Sequence, residues 1–391
     1  MQPPTKKARS DSEKATTFLQ KGPSTPTSSE EAQRSNQRLR IVTWNVASYR
    51  AASGALLKYI QKTDPDIVCL QETKLQSSAT PGPFLLPQYR SKTWFCSTAR
   101  KGYSGTAVLS KWQPERIHRG IPGHPEHDAE GRCIVYEFPD FVLINVYVPN
   151  AGLAACERLS YRVEHWDCAL RDYLKRLSAE GQWVILCGDM NVAMEDRDVY
   201  AVEACQGHAG FTRAERESFR ETLRQAGLVD AFLVLHGDKA EPRFTFWDYR
   251  DSVGGVRRNG WRIDLFCVSA EMVERKAKET VAELDNCSEQ DLLPTQAGRM
   301  TTTSVWKVVE VRPRADVYGS DHCPVEMELV RRPNSMEQAP MAAQLASEQQ
   351  ESTVLPKETS PSDEADALKR SASGEADAGD ASRRAATPNP C

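Results

Sequence analysis

The chain of 391 residues carries a net charge of −4, with 40% hydrophobic and 27% charged residues. That composition suits a globular fold. It excludes a cationic protein that merely coats nucleic acid, and with no apolar run near about 20 residues it excludes a bilayer-crossing helix.

In chain order, residues 1–38 carry a charge of +3 and few large apolar side chains, so they are expected to be a disordered basic tail. They lack an apolar signal core, so secretion is not expected. Lys6-Lys7-Ala8-Arg9 reads as a nuclear import signal, with a mitochondrial fraction left open. Residues 333–391, at −5, read as a second, acidic disordered tail. Between the tails, 39–332 reads as one domain. The 11 cysteines are scattered singly, as at Cys69, Cys187 and Cys267, with no CxxC pair. That pattern points to reduced, buried thiols rather than a disulfide framework or a zinc site.

Within the domain, the residue patterns predict a strand over 39–45, a helix over 54–62 and a buried strand over 66–72. Short alternating strands follow at 90–98, 104–111, 133–138 and 141–147. Leu159, Val163, Trp166, Leu170, Leu174 and Leu177 fall at helical spacing and predict an amphipathic helix over 155–179. The apolar run from Trp183 to Cys187 is another buried strand. A helix over 213–226 stops at Gly227. Strands at 243–247 and 262–268, a helix near 270–279, a loop insertion over 284–304 and strands at 305–312 and 325–331 complete the domain. Many strands, few helices and no internal repeat point to two packed sheets flanked by helices.

Polar residues recur where these strands end: Asn45, Glu72, Asn150, and Asp189 with Asn191. A carboxylate at Glu72 suits a hard cation, which takes only one or two protein carboxylates and keeps most of its waters. Asn45 either orients Glu72 or ligates the metal. Gly188 permits a sharp bend, after which Asp189 and Asn191 offer an acceptor for a water proton and an amide donor for a phosphoryl oxygen. Asp321-His322 lies next to Cys323-Pro324, a break that lets adjacent residues serve one site at a strand entrance. Asp264 is a plausible carboxylate partner for His322, fixing its tautomer.

Ten strings carry a resemblance: Val42-Thr43-Trp44-Asn45-Val46, Leu70-Gln71-Glu72-Thr73-Lys74, Gly102-Tyr103-Ser104-Gly105, His127-Asp128-Ala129-Glu130-Gly131-Arg132, Asn145-Val146-Tyr147-Val148-Pro149-Asn150-Ala151-Gly152, Gly188-Asp189-Met190-Asn191-Val192-Ala193, Gly210-Phe211-Thr212, Thr245-Phe246-Trp247, Gly260-Trp261-Arg262-Ile263-Asp264 and Ser320-Asp321-His322-Cys323-Pro324. In this order, over about 39–331, the chain resembles the exonuclease III family of apurinic/apyrimidinic endonucleases. The resemblance implies an α/β (α+β) four-layered sandwich of two packed mixed β-sheets flanked by helices. It implies Mg²⁺ dependence, with Mn²⁺ able to substitute, and incision of double-stranded DNA 5′ to an abasic site, leaving a 3′-hydroxyl and a 5′-deoxyribose phosphate. Processing of blocked 3′ ends, by 3′-phosphodiesterase, 3′-phosphatase or 3′-5′ exonuclease action, is an expected accompaniment.

Carried over by position, Glu72 is the main metal ligand, with Asn45, Asp189, Asn191, Asp321 and His322 around the metal. Asp189 activates or orients water and Asn191 helps place it. His322, paired with Asp264, donates to a phosphate oxygen, while Tyr147 and Asn150 hold the scissile phosphate. Tyr147 as a phenolate and His322 stand as rival general bases. Phe246 and Trp261 resemble the residues lining the abasic-sugar pocket. Arg50, Lys74, Tyr103, Arg132, Asn150, Leu153 and Arg250 are candidate DNA contacts. The chain departs from relatives at Ala47, where an Asp or Asn is frequent, at Leu153, where some carry Arg, and at Arg250, where some carry Met. Leu153→Arg is accordingly expected to slow product release. The resemblance further implies a monomer, no membrane association, and tails open to repair-protein partners. Two rivals are deoxyribonuclease and inositol phosphate phosphatase relatives of the same superfamily. The Gly260-to-Asp264 segment argues against both. An inactive DNA-binding relative is a third rival, opposed by retention of Glu72, Asp189, Asn191, Asp264 and His322.

Overall fold

Fourteen strands and five α-helices organise the described part of the chain, which in the computed structural model comprises residues 37–82, 84–152, 157–237, 240–251, 256–273 and 304–333. The expectations for nearly all of the two tails, for Leu153, for most of the helix near 270–279 and for nearly all of the 284–304 insertion lie outside these residues; at the tail bounds, Arg38 opens β1 and Pro333 ends β14.

The first sheet contains β1 (Arg38–Asn45), β2 (Ile67–Gln71), β3 (Ser91–Phe95), β4 (Thr106–Ser110), β13 (Ser304–Pro313) and β14 (Val325–Pro333). Its order is β13-β14-β1-β2-β4-β3. The second contains β5 (Arg116–Arg119), β6 (Cys133–Glu137), β7 (Val142–Tyr147), β8 (Val184–Asp189), β9 (Leu228–Asp230) and β12 (Asp264–Ser269), in the order β5-β6-β7-β8-β12-β9. Each sheet is antiparallel except for one central pair: β1 runs parallel to β2, and β7 parallel to β8. A parallel pair needs a crossover. Helix α1 (Tyr49–Thr63) supplies it in the first case. In the second it is α2 (Asp167–Ala179), entered through a π-helical turn at Tyr161–Trp166.

The central strands are largely apolar because both of their faces are covered. Leu39, Ile41, Cys69 and Val108 of the first sheet pack with Ile134, Leu143, Ile185, Cys187 and Phe266 of the second in one core. On the outer faces, Val42, Trp44, Val68 and Leu70 meet Leu56, Tyr59 and Ile60 of α1. Val135, Ile144 and Leu186 meet Leu170, Tyr173 and Leu174 of α2. The result is the expected α/β arrangement of two mixed sheets flanked by helices.

Three further helices complete the described part: α3 (Val202–Cys205), α4 (Arg213–Ala226) and α5 (Ala231–His236). The bounds of α4 match the expected 213–226, since Thr212 and Glu215 form a capping box and Gly227 closes the helix at φ +65°. Other bounds differ. Helix α1 begins five residues before the expected 54. The 243–247 strand shrinks to β10 (Phe246–Trp247), paired with β11 (Gly260–Trp261). Strand β5 was not expected, because its exposed Arg-Ile-His-Arg sequence shows no buried face.

The two sheets are also tied by polar groups. Asn145 of β7 is fully buried, and its amide donates to the Leu70 and Ala107 carbonyls of the first sheet at 3.1 and 3.0 Å. Its oxygen accepts from Gln71 at 2.7 Å. Replacing it removes partners from several buried groups, each costing about 1–3 kcal/mol. Asn145→Ala is therefore expected to lower the unfolding free energy by about 2–4 kcal/mol in guanidinium chloride titrations. A loss below about 1 kcal/mol would contradict a role for this inter-sheet tie.

Candidate active site

The ends of β1, β2, β7 and β8 and the start of β12 converge on one rim. A cleft of about 340 Å³ there is lined by Glu72, Tyr147, Asn150, Asp189, Asn191, Ala209, Gly210, Phe246, Trp261, Ile263, Asp321 and His322. Strand register explains part of the convergence: Asp264 lies opposite Asp189 across β12 and β8, and Tyr147 lies beside Asp189 across β7 and β8.

Asn45 joins the two sheets at this rim. Its side-chain nitrogen donates to Glu72 Oε1 at 3.1 Å and to Asp189 Oδ2 at 2.8 Å, while its oxygen accepts from the Ala47 amide at 2.9 Å. Tyr147 donates to the same Glu72 oxygen at 2.9 Å, and Lys74 Nζ lies 2.7 Å from Glu72 Oε2. Asp189 Oδ1 accepts from the Asn191 backbone amide at 2.9 Å. Asn191 donates to the Val148 carbonyl and accepts from Asn150. His322 Nδ1 donates to Asp264 Oδ2 at 2.8 Å. The bend before β14 is pinned by Ser320, which donates to the Asn45 carbonyl at 2.7 Å, and by Trp44, which donates to the His322 carbonyl.

This packing holds non-glycine residues in the left-handed region. Ala47, Glu72, Lys74 and Asn191 have φ of 52°, 50°, 51° and 47°. Each such conformation costs about 1–2 kcal/mol for an ordinary L-residue and persists where the surroundings over-determine it.

The charges divide by environment. Burial disfavours a charged His322, but Asp264, with Asp189 and Asp321, outweighs it and raises the imidazole to about 10. Burial, reinforced by Asp264, pushes Asp189 up to about 7. Burial also works against a Glu72 carboxylate, yet Lys74, Asn45 and His322 hold it below its ordinary range. Tyr147 is driven well above its ordinary value by burial and by Glu72. At neutral pH, Tyr147 is therefore a phenol and His322 an imidazolium. These directions favour Tyr147 and His322 as proton donors and Asp189 as the acceptor.

The same charges bear on metal ligation. Oxygens or nitrogens of Glu72, Asp189 and His322 lie within 4.8 Å of one another. His322 Nδ1 is engaged by Asp264, which leaves Nε2 as the ring atom available to the site, as donor or as ligand. Asn45 likewise spends its oxygen on Ala47 and its nitrogen on the two carboxylates. These bonds make it an orienting group for Glu72 and Asp189. Glu72 remains an anionic anchor, and Lys74 already sets a positive charge against it, so the oxygen donors here fit a hard cation.

Apolar walls complete the cleft. Phe246 and Trp261 face each other across β10 and β11, and the Phe246 ring lies 4.8 Å from that of His322. Phe211 meets Trp261 edge-on at 6.1 Å. Beneath this floor lies Arg162, fully buried within the π-helical turn. It donates to the Asn191 carbonyl at 2.7 Å and the Met190 carbonyl at 2.8 Å, and it pairs with Glu215 at 3.2 Å. Glu215 in turn accepts from the Gly210 amide at 2.8 Å. One ion pair thus holds two backbone segments of the cleft. Sequence reasoning missed both residues. The Glu215 capping-box position was the available signal.

The expected DNA contacts fare unevenly. Asn150 lines the cleft and Arg50 is exposed at the start of α1. Arg250 is exposed but paired with Asp248. Tyr103 accepts from Arg132 and Arg158 at 2.8 Å each. Arg132 is a correction. It is only 2% exposed, its guanidinium binds Glu130, the Tyr147 carbonyl and Tyr103, and it covers the Tyr147 ring at 4.5 Å. It braces the site and does not reach outward to phosphate.

Two outcomes follow from this geometry. Arg162→Ala leaves Glu215 buried without its partner and is expected to cost about 3–5 kcal/mol in denaturation experiments; a loss below about 1 kcal/mol would contradict the clamp. The raised His322 pKa means its pairing with Asp264 stabilises the fold fully below pH 6.5, an increment lost as pH rises through about 10. In ¹⁵N NMR of the metal-free protein, His322 is expected to stay protonated at pH 8 and to titrate lower in Asp264→Asn. Titration of the native imidazole near its ordinary value would contradict the assignment.

The profile of the Endonuclease/Exonuclease/phosphatase family matches residues 42–322. The chain is 38% identical over 288 residues to a protein named DNA repair nuclease APEX1 of Danio rerio, covering 72% of this chain and 90% of that one. It is 37% identical over 292 residues to an exodeoxyribonuclease of Bacillus subtilis, covering 74% and 98%. Among solved structures, the AP endonuclease LMAP of Leishmania major superposes with a TM-score of 0.60 at 30% identity, over 78% of this chain and 91% of that one. A 3′ phosphatase, NExo, from Neisseria, bound to a product DNA hairpin, superposes with a TM-score of 0.59 at 27% identity, over 74% and 98%.

Proposed function

The chain belongs to the Endonuclease/Exonuclease/phosphatase family, and we propose that it hydrolyses the DNA phosphodiester on the 5′ side of an abasic site, leaving a 3′-hydroxyl and a 5′-deoxyribose phosphate. The observation that carries this reading is the pairing of differently charged groups with an apolar wall in one cleft. Asp189, Glu72 and the His322 imidazolium face Phe246 and Trp261.

In the proposed reaction Asp189 accepts a proton from the attacking water and Asn191 helps to place that water. His322, held charged by Asp264, donates through Nε2 to a non-bridging phosphate oxygen and offsets the charge that develops there. Tyr147 acts as a neutral donor and Asn150 as an amide beside the phosphate. Glu72, with Asp321, would hold Mg²⁺, for which Mn²⁺ can substitute. A bound divalent ion supplies Lewis-acid polarisation of the phosphoryl group and neutralises charge on the leaving 3′-oxygen. Selectivity follows from cost. A sugar without a base has no stacking to lose on leaving the duplex, and Phe246, Trp261 and Ile263 offer it an apolar wall in the cleft.

The Neisseria relative bears the name of a 3′ phosphatase, which supports including 3′-end processing among this chain's activities. Nuclear location through Lys6-Lys7-Ala8-Arg9, a monomeric state and partners for the tails belong to the same proposal.

The test is incubation with Mg²⁺ and a duplex bearing one tetrahydrofuran abasic analogue, alongside intact duplex and inositol phosphates. Metal-dependent nicking 5′ to the analogue is expected, and Asp189→Asn should lower that rate by about 10²–10⁴. Equal cutting of intact duplex, or phosphate release from the inositol substrates, would overturn the reading.

A further inference from the structure

Glu72 has two oxygens, and both are engaged. Oε1 accepts from Asn45 and Tyr147, while Oε2 faces the Lys74 ammonium at 2.7 Å. The three donors differ in freedom. Asn45 is fully buried and also tied to Asp189. Tyr147 is fixed under the Arg132 guanidinium. Lys74 has a rigid backbone, with φ +51° and its amide bonded to the Ser104 carbonyl at 2.8 Å, but its side chain is 36% exposed on a flexible stem. Of the three, only Lys74 can leave without dismantling a sheet end.

A divalent cation anchored on Glu72 needs the oxygen that Lys74 holds. The ammonium and the ion would then be like charges within a few ångströms, on one carboxylate that cannot serve both.

We propose that Lys74 is a tethered cation that a divalent metal displaces from Glu72, and that the freed ammonium moves outward to a DNA phosphate. The proposal rests on the nuclease reading of the site. Its consequence is coupling. The metal releases a phosphate-binding cation, and a phosphate that captures the cation clears the metal's ligand. By linkage each strengthens the other by the same factor. Lys74 thus has two stations, Glu72 Oε2 and a DNA phosphate. The departure of Lys74 also leaves Glu72 Oε1 and its two fixed donors in place, so the metal meets a pre-oriented carboxylate.

The experiment measures Mn²⁺ affinity of the full-length protein by electron paramagnetic resonance, without DNA and then with a duplex carrying the tetrahydrofuran analogue. Lys74→Met keeps the stem and removes the charge. It is expected to bind Mn²⁺ about tenfold more tightly than the unaltered protein without DNA, and to show little of the further tightening that DNA produces in the unaltered protein. Glu72→Gln serves as the reference for the site itself and should lose tight Mn²⁺ binding. If Glu72→Gln loses the ion while Lys74→Met binds it with unchanged or weaker affinity, the displacement is overturned and the nuclease reading stands. If Glu72→Gln retains it, the metal assignment fails and this proposal fails with it. Circular dichroism confirms that both variants are folded.

Discussion

The amide of Asn45 is the contact on which the site depends. It ends a central strand of the first sheet, and its nitrogen reaches carboxylates from both sheets, Glu72 from its own and Asp189 from the other. A half-buried and a buried carboxylate this close repel, and burial works against the charge on each. A neutral donor between them stabilises both, with no counter-charge to compete with a bound cation. The arrangement is accurate only if the two sheets keep their relative placement. The shared apolar core and the Asn145 tie provide that. Site geometry and fold stability are therefore linked through the same strand ends.

Around that contact the chemistry is one of separated charge states. Asp264 sits behind His322 and turns it into an imidazolium. The same Asp264, opposite Asp189 across the strands, raises the Asp189 carboxyl toward the neutral range. One buried carboxylate thus produces both a proton donor and a proton acceptor. Left-handed backbone at Ala47, Glu72, Lys74 and Asn191 concentrates strain where the side chains must be aimed. The Arg162–Glu215 pair holds one of these turns from below.

Much of this was legible in the sequence, and the reasons are local. Asn45, Glu72 and Asp189 stand out as polar residues ending apolar runs, and strand ends meet at one rim in a layered α/β fold. Thr212, Glu215 and Gly227 announce the bounds of α4 because caps are short-range chemistry. What was not legible depends on contacts distant in sequence. Arg132 looks like a solvent-facing cation in its motif, yet three partners from elsewhere bury it. Arg162 lies on a helical pattern whose apolar positions say nothing of a guanidinium turned toward the Met190 and Asn191 carbonyls. Strand β5 has no apolar face to detect. The protonation of His322 and Tyr147 depended on neighbours, since Asp264 beside the one, and burial with Glu72 beside the other, favour the protonated form of both.

The pH dependence of single-turnover incision at an abasic analogue tests the central claim most directly. With Asp189 as base and His322 as donor, the rate should rise as Asp189 ionises, level off, and fall as pH passes about 10, where His322 loses its proton. Tyr147→Phe should lower the plateau but keep both limbs. A rate that climbs through the alkaline range, with the climb abolished by Tyr147→Phe, would identify a phenolate base and contradict the assignment.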